Sequence, residues 1–442
     1  MVDPGGAAQR LARMVQIETV SAHYPERGTA SVDAFLALLE HEYPRVAAAL
    51  ERERVGEFGV LYRWRGARAE HPLVLMAHFD VVPADEGDGW LVPPFAGHIT
   101  AHAVHGRGTL DDKGALCVIL EAVESLLAEG VTPARDVWVS FGGDEEVSGR
   151  GAAAISDALR DRGVEPWLVL DEGGAVVDAP LPFVPARAAM IGIGEKGFAT
   201  VRLTATSSGG HASAPTGLTA VARIARAVDR VQRRPFSPRL TASARAMFRA
   251  FEPQVRPASG RLLLWLVRVA PWLAARLLAR QGGDAAALVR TTVAATMLTG
   301  GTAANVLPPE ASATLNMRLA PGCSVADAIA HLRRAINDRE VQIEVVEASE
   351  PSPESPVDDR FAALATIATE VFPGVVGAPY LQLSASDARW FHRYCSHVYR
   401  FVPFELTAAQ RASIHAVDEF VTIDSLARGI EFHRTLIQRL PS

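Results

Sequence analysis

HPLVLMAHFD (71–80), GALCVILEAVESLLAEG (114–130) and RDVWVSFGGDEE (135–146) decide the fold. The first and third are short, nearly continuous apolar runs that end in polar residues, as buried strands do. The second has helical spacing and ends in Gly130, a common helix stop. GAAAISDALRDRG (151–163) then predicts a helix and PWLVLDEGG (166–174) another strand. Strand–helix–strand alternation implies an α/β domain with a mostly parallel central sheet and helices on both faces. Functional side chains gather where such strands end and loops begin. His78, Asp111, Glu145 and Asp171 stand at those positions.

Outward from this core, a second unit starts near Gly197. FATVRLTAT, TTVAATMLTG, ATLNMRLAP and VQIEVVEAS read as strands, with LTAVARIARAVDRVQ and SVADAIAHLRRAI as helices. The order β-α-β-β-α-β is that of a ferredoxin-like α+β unit. Residues 236–290 interrupt it, and ASEPSPESP (348–356) reads as an exit linker. The expected organisation is residues 1–196 as the first part of one domain, 197–350 as an inserted unit, and 351–442 returning to complete the first.

The 442 residues suit two or three domains, each able to bury a core. A composition 49% hydrophobic and 21% charged is that of a folded chain, and a net charge of −6 gives no nucleic-acid footprint. Cys117, Cys323 and Cys395 lie far apart, with no CxxC pair and no disulfide framework, which points to a reducing compartment. The N-terminus lacks the apolar run of a signal peptide, so a cytoplasmic location is expected. RLLLWLVRVAPWLAARLLAR (261–280) is interrupted by Arg268, Pro271 and Arg276, too broken for a span. It reads as an amphipathic helical hairpin packed on the protein; contact with a membrane surface or partner is the alternative.

MAHFDVVP places His78 and Asp80 on one side of a strand end. A metal-binding imidazole hands its other ring N–H to a carboxylate, although an H-x-D pair also fits an ordinary polar contact. GRGTLDDKG (106–114) offers Asp111 and Asp112, as a helix N-cap or as a carboxylate bridging two cations. GGDEEVSG (142–149) crowds Asp144, Glu145 and Glu146, which repel unless a cation sits among them. LVLDEGG adds Asp171 and Glu172, and RASIHAVDE (411–419) adds His415. Together these form the N/O donor set of a catalytic zinc site.

In order along the chain, MAHFDVVP, GRGTLDDKG, GGDEEVSG, LDEGG, SGGHAS, GGTAANVLP and SIHAVDE resemble the co-catalytic zinc peptidases that include aminoacylase, carboxypeptidase S and succinyl-diaminopimelate desuccinylase. LDEGG and IHAVDE look closest to the carboxypeptidase S and N-acyl amino acid synthase/hydrolase branch. The resemblance implies a catalytic α/β domain with an inserted lid and dimerisation domain, two zinc ions per chain, and a homodimer. It implies that His78 and His415 each bind one zinc, Asp111 bridges, and Glu146 and Asp171 complete the spheres; Glu172 is the alternative to Asp171. Glu145 would activate a bridging water and Asp80 would orient His78. His211 on the lid would stabilise the oxyanion in the partner's site, and Asn305 and Arg318 would hold the substrate carboxylate. Cobalt or manganese also fits such a site.

The implied activity is hydrolysis of a dipeptide or N-acyl amino acid that carries a free carboxylate, or its reversal. A single-metal deacylase and a catalytically silent scaffold are the alternatives; no GxSxG elbow supports a serine hydrolase. His98, His102 and His105 read as an exposed strand and turn, and His392 and His397 as packing or surface groups. Ser384 and Asp387 are candidates for substrate contact, and Lys113 for bracing carboxylates. The 236–290 insertion reads as an acyl-chain wall, or as dimer or lid packing.

Overall fold

The run Leu73–His78 carries no polar face because helices cover it on both sides. In the computed structural model, which describes residues 3–181, 183–215 and 217–441, all six of its residues are buried. Leu73, Leu75 and Ala77 join a core roofed by the helices Pro4–Val15, Ala30–Glu42, Lys113–Ala128 and Ile423–Gln438. Val74 and Met76 point the other way, onto Ile155 and Leu159 of the helix Arg150–Asp161. This is the period-2 alternation of a strand expressed in three layers.

The nine-stranded sheet is parallel through its centre, where Val137–Gly142, Leu73–His78, Leu168–Asp171 and Val398–Arg400 lie side by side. Its flanks are mixed: the hairpin of Glu51–Val55 and Gly59–Trp64 adds antiparallel strands at one side. At the other side stand Arg187–Glu195 and Val376–Gln382, parallel to each other. Parallel central strands bring Gly142, His78 and Asp171 to one rim of the sheet.

The second sheet is antiparallel, in the order Thr292–Thr299, Glu310–Leu319, Gly197–Thr206, Val341–Ser349. Burial alternates along Gly197–Thr206, so Val201 and Leu203 face the helices Ala220–Arg233 and Val325–Ile336. Strand order and helix placement are those of the ferredoxin-like unit that the sequence pattern predicts.

The insertion folds as the helices Ala242–Phe251, Ala258–Val269, Pro271–Gln281 and Gly283–Ala287, with Pro271 opening the third as a helix-start proline does. Its chain leaves the smaller unit, yet Met247, Phe248, Phe251, Leu264 and Leu278 share one hydrophobic core with Met190 and Ala378 of the nine-stranded sheet, which the helix Ala242–Phe251 meets along Val376–Gln382. The insertion is therefore a cover for the flank of the large sheet. No helix among the described residues is long and apolar enough to cross a membrane.

Candidate metal centre and adjoining cleft

His78 ends its strand with the imidazole buried. Its Nδ1 lies 3.0 Å from the Asp80 carbonyl oxygen and 3.3 Å from Asp80 Oδ1. Two acceptors at Nδ1 place the ring proton there and turn Nε2 outward, the arrangement a metal-binding histidine needs. The Asp80 carboxylate also accepts the backbone N–H of Glu145 at 3.0 Å and of Glu146 at 3.1 Å. One side chain thus fixes both the imidazole and the acidic turn that follows Val137–Gly142.

Asp111 joins the two halves of the site. Its Oδ1 lies 3.0 Å from His78 Nε2 and its Oδ2 lies 2.9 Å from His415 Nε2. His415 Nε2 is also 3.2 Å from Glu146 Oε1. Ligand atoms of His78, Asp111 and Glu146 lie within 4.8 Å of one another. Asp112, after a cis peptide bond, turns inward and accepts the His78 N–H at 3.2 Å.

The loop bearing His415 is tied down by a buried pair that sequence reasoning does not reveal. Arg107 Nη1 donates to Glu419 Oε2 at 2.6 Å and Nη2 to the Ala416 carbonyl at 3.0 Å. Glu419 Oε1 accepts the N–H of Leu110 at 2.7 Å and of Asp111 at 3.2 Å. His415 itself has a φ of 61°, a left-handed conformation uncommon for a side-chain-bearing residue.

The electrostatics of the site are those of crowded acids. Burial disfavours the charged forms of His78 and Asp111, and their hydrogen-bonded neighbours oppose it. Asp111 and Asp80 raise the His78 pKa well above the usual histidine value. The two imidazoles hold the Asp111 carboxyl below the usual carboxylate range. Hydrogen bonds donated to the Asp111 and Glu146 carboxylates lift His415 to about 10. Burial pushes Glu145 and Glu172 well above the ordinary glutamate value, and their carboxylate neighbours add to it. Two imidazoles stand among Asp111, Glu145, Glu146, Asp171 and Glu172, an excess of acid. Divalent cations would relieve this excess, and the N/O donors suit them.

Asp171 is buried at its strand end, where Oδ2 accepts the Ala388 N–H at 2.7 Å. The Asp111 carboxylate adds to burial in raising the Glu172 pKa. Asp144 is structural: Oδ1 accepts the N–H of Gly151 at 2.9 Å, Oδ2 that of Arg150 at 2.9 Å, and the turn into the helix closes there. Lys113 does not brace a carboxylate as expected; its buried Nζ donates to the carbonyls of Met14 at 3.0 Å and Ile17 at 2.7 Å. Asp387 stands on the loop that bonds Asp171, and both of its carboxylate oxygens are buried with no hydrogen-bond partner. His98 and His102 are exposed on a short hairpin. His392 lies beside Arg400, whose strand position is in register with Asp171, and His397 pairs with Asp358.

The smaller unit carries His211, Asn305 and Arg318. His211 and Asn305 meet on a two-stranded ribbon, where the Ala212 N–H bonds the Asn305 carbonyl at 3.0 Å. Arg318 lies farther along, in the register of Phe198 and Thr292. Among the described residues no hydrogen bond or ion pair links these three to the centre within one chain.

Beside the centre, a cavity of about 430 Å³ opens between the large sheet and the insertion. Met190 and Tyr380 form one wall, Met247 and Leu288 of the insertion the other. Gly173 and Ile414, each one residue from Glu172 or His415, form its inner end, and Arg411, Asp284, Gln382 and Ser384 are its polar members.

Residues 74–439 match the sequence profile of peptidase family M20/M25/M40. The chain is 34% identical to a probable carboxypeptidase S-like 2 of Dictyostelium discoideum, covering 98% of this chain and 84% of that protein. It is 33% identical to the human N-fatty-acyl-amino acid synthase/hydrolase PM20D1, covering 97% and 87%. In fold it is similar to human carnosine dipeptidase 1 (TM-score 0.70, 16% identity, 98% and 96% covered). A Sulfolobus solfataricus M20 family metallo-carboxypeptidase, Sso-CP2, is similar too (TM-score 0.68, 17% identity, 98% of each chain). Sequence similarity along almost the whole chain, a matching fold and a clustered set of metal-ligand side chains lead to one conclusion: the chain belongs to peptidase family M20/M25/M40.

Proposed function

We propose that this metallohydrolase is a di-zinc enzyme that cleaves the amide bond of a dipeptide or N-acyl amino acid with a free carboxylate. The observation that carries this reading is the Asp111 carboxylate, whose two oxygens each face the Nε2 of a different histidine, at 3.0 and 2.9 Å. His78 and Asp171 would hold one cation, His415 and Glu146 the other, with Asp111 shared and Glu172 the alternative to Asp171. When bound, the cations would polarise the scissile carbonyl and acidify an attacking water.

The residues of the chain do the rest. Glu145, presented by the turn that Asp80 clamps, would take a proton from water and return it to the leaving nitrogen. The cavity walled by Met247 and Leu288 suits an apolar acyl group better than a charged peptide N-terminus, which favours N-acyl amino acids. The name of the human relative is consistent with that preference.

We further propose that residues 197–350 act as a lid and dimerisation unit. His211 would complete the partner's site and bind the oxyanion, while Asn305 and Arg318 would grip the substrate carboxylate. Free Cys117, Cys323 and Cys395 fit a reducing, cytoplasmic compartment.

Elemental analysis of the purified protein, paired with hydrolysis of N-acetyl- and N-palmitoyl-leucine and of Gly-Leu, tests the assignment. Two zinc ions per chain and amide cleavage are expected. One ion with full activity would replace this reading by a single-metal deacylase, and zinc binding without any cleavage would leave a silent scaffold.

A further inference from the structure

The insertion's hairpin presents solvent with an apolar ridge that no packing within the chain accounts for. Leu264, Val267, Ala274 and Leu278 are buried in the core that the insertion shares with the edge of the large sheet. On the outer side, Leu262, Trp265 and Val269 follow helical spacing i, i+3, i+7 and are 57%, 56% and 57% exposed. Trp272, in the first turn of the next helix, is 61% exposed. Single exposed apolar residues are ordinary, but a ridge with two tryptophans marks a contact surface.

Charge identifies the contact. Residues 236–290 contain nine arginines and only two acids, Glu252 and Asp284, an excess of seven positive charges. Because the whole chain is at −6, the remainder carries −13. Within 258–281 there is no acid at all, only Arg261, Arg268, Arg276 and Arg280. Arg268 pairs with Glu252, and the Arg276 guanidinium lies 5.3 Å over the Trp272 ring. Arg261 and Arg280 make no ion pair among the described residues. A second copy docked on this face would bring its own arginines against these and no acids to meet them. Tryptophan and leucine flanked by arginines instead match an interface of apolar chains below anionic headgroups. The helices, of 12 and 11 residues, are too short to cross.

We propose that this hairpin docks the protein onto an anionic lipid surface and lies in the plane of the headgroups. The proposal is independent of the chemistry at the metal centre. It has one consequence for it: the same insertion supplies Met247 and Leu288 to the cavity, so docking brings the apolar cleft close to lipid.

Co-sedimentation of the full chain with vesicles tests this, using equal parts phosphatidylcholine and phosphatidylglycerol, or phosphatidylcholine alone. The wild type should bind the anionic vesicles preferentially, with a blue shift of tryptophan emission. W265S/W272S should weaken that binding by at least about tenfold. R261E/R280E should abolish the preference for anionic vesicles. Both variants should keep the wild-type thermal transition and hydrolysis of N-acetyl-leucine. Failure of the wild type to bind anionic vesicles, or unchanged binding by W265S/W272S, would overturn the proposal. So would light scattering that shows the wild type dimeric and W265S/W272S monomeric while neither binds vesicles.

Discussion

Asp80 concentrates several tasks in one carboxylate: it holds His78 Nδ1 and, through two backbone N–H groups, the turn that carries Glu145 and Glu146. Its replacement by alanine should lower metal affinity by about 10- to 100-fold, read by competition with a chromogenic chelator. Glu145→Gln should behave differently, because Glu145 lies outside the proposed ligand set. We expect kcat to fall by roughly 10²–10⁴-fold, with metal content and thermal transition at wild-type values. Loss of metal in Glu145→Gln would instead make it a ligand. The H-x-D pair is legible in the sequence because strand periodicity alone puts both side chains on one side. The clamp on residues 145–146 is not, since it depends on where backbone N–H groups from a neighbouring strand arrive.

The strands and helices show the same division. Apolar runs such as Leu73–His78 and the spacing of Lys113–Ala128 announce themselves, because local periodicity reports burial. The seat of the insertion does not: its apolar content says that it packs, not that Met190 and Ala378 receive it. Nor does the pair Arg107–Glu419 stand out, since 312 residues separate its members and each alone reads as a surface charge. Glu419→Gln should leave Arg107 buried beside a neutral amide and destabilise the fold by about 3 kcal/mol; Arg107→Met with Glu419→Met should recover part of the loss. Urea denaturation of the wild type and the two variants checks this. In the helix Ile423–Gln438, burial lowers the His433 pKa to about 4, while Nδ1 donates to the Gly429 carbonyl. The unfolded chain, with histidine near 6.5, takes up the proton first as pH falls. Stability should therefore be complete above about pH 6.5 and decline toward pH 4 by up to about 3 kcal/mol. His433→Leu should flatten that part of the curve, and an unchanged slope would assign the acid lability to other groups.

For the whole molecule, metal is a stabilising ligand as well as a reagent. Chelation should abolish hydrolysis and lower the unfolding midpoint, by about 4 kcal/mol of stability if the cation stands at 1,000 times its dissociation constant. If the lid serves the partner's site, His211→Ala and Glu145→Gln should each be nearly inactive alone. Mixed dimers should regain up to about a quarter of wild-type activity, the statistical share of one intact site in half of the dimers. An unrecovered mixture would place His211 outside that role. His211, Asn305 and Arg318 are legible only through the resemblance, since no hydrogen bond or ion pair among the described residues ties them to the centre. Finally, strand Val398–Arg400 lies between Leu168–Asp171 and Arg187–Glu195, and His415 closes on Asp111 from still later in the chain. A ribosome therefore releases the first three quarters of this polypeptide with a gap in its main sheet and half of its cation cradle missing. Domains generally fold as units during synthesis, N-terminal parts first, but here neither the large domain nor its metal site can mature before the last tenth of the chain emerges. Nascent chains stalled before His415 should consequently be protease-sensitive and unable to retain a divalent metal ion, however well the small antiparallel unit has already formed.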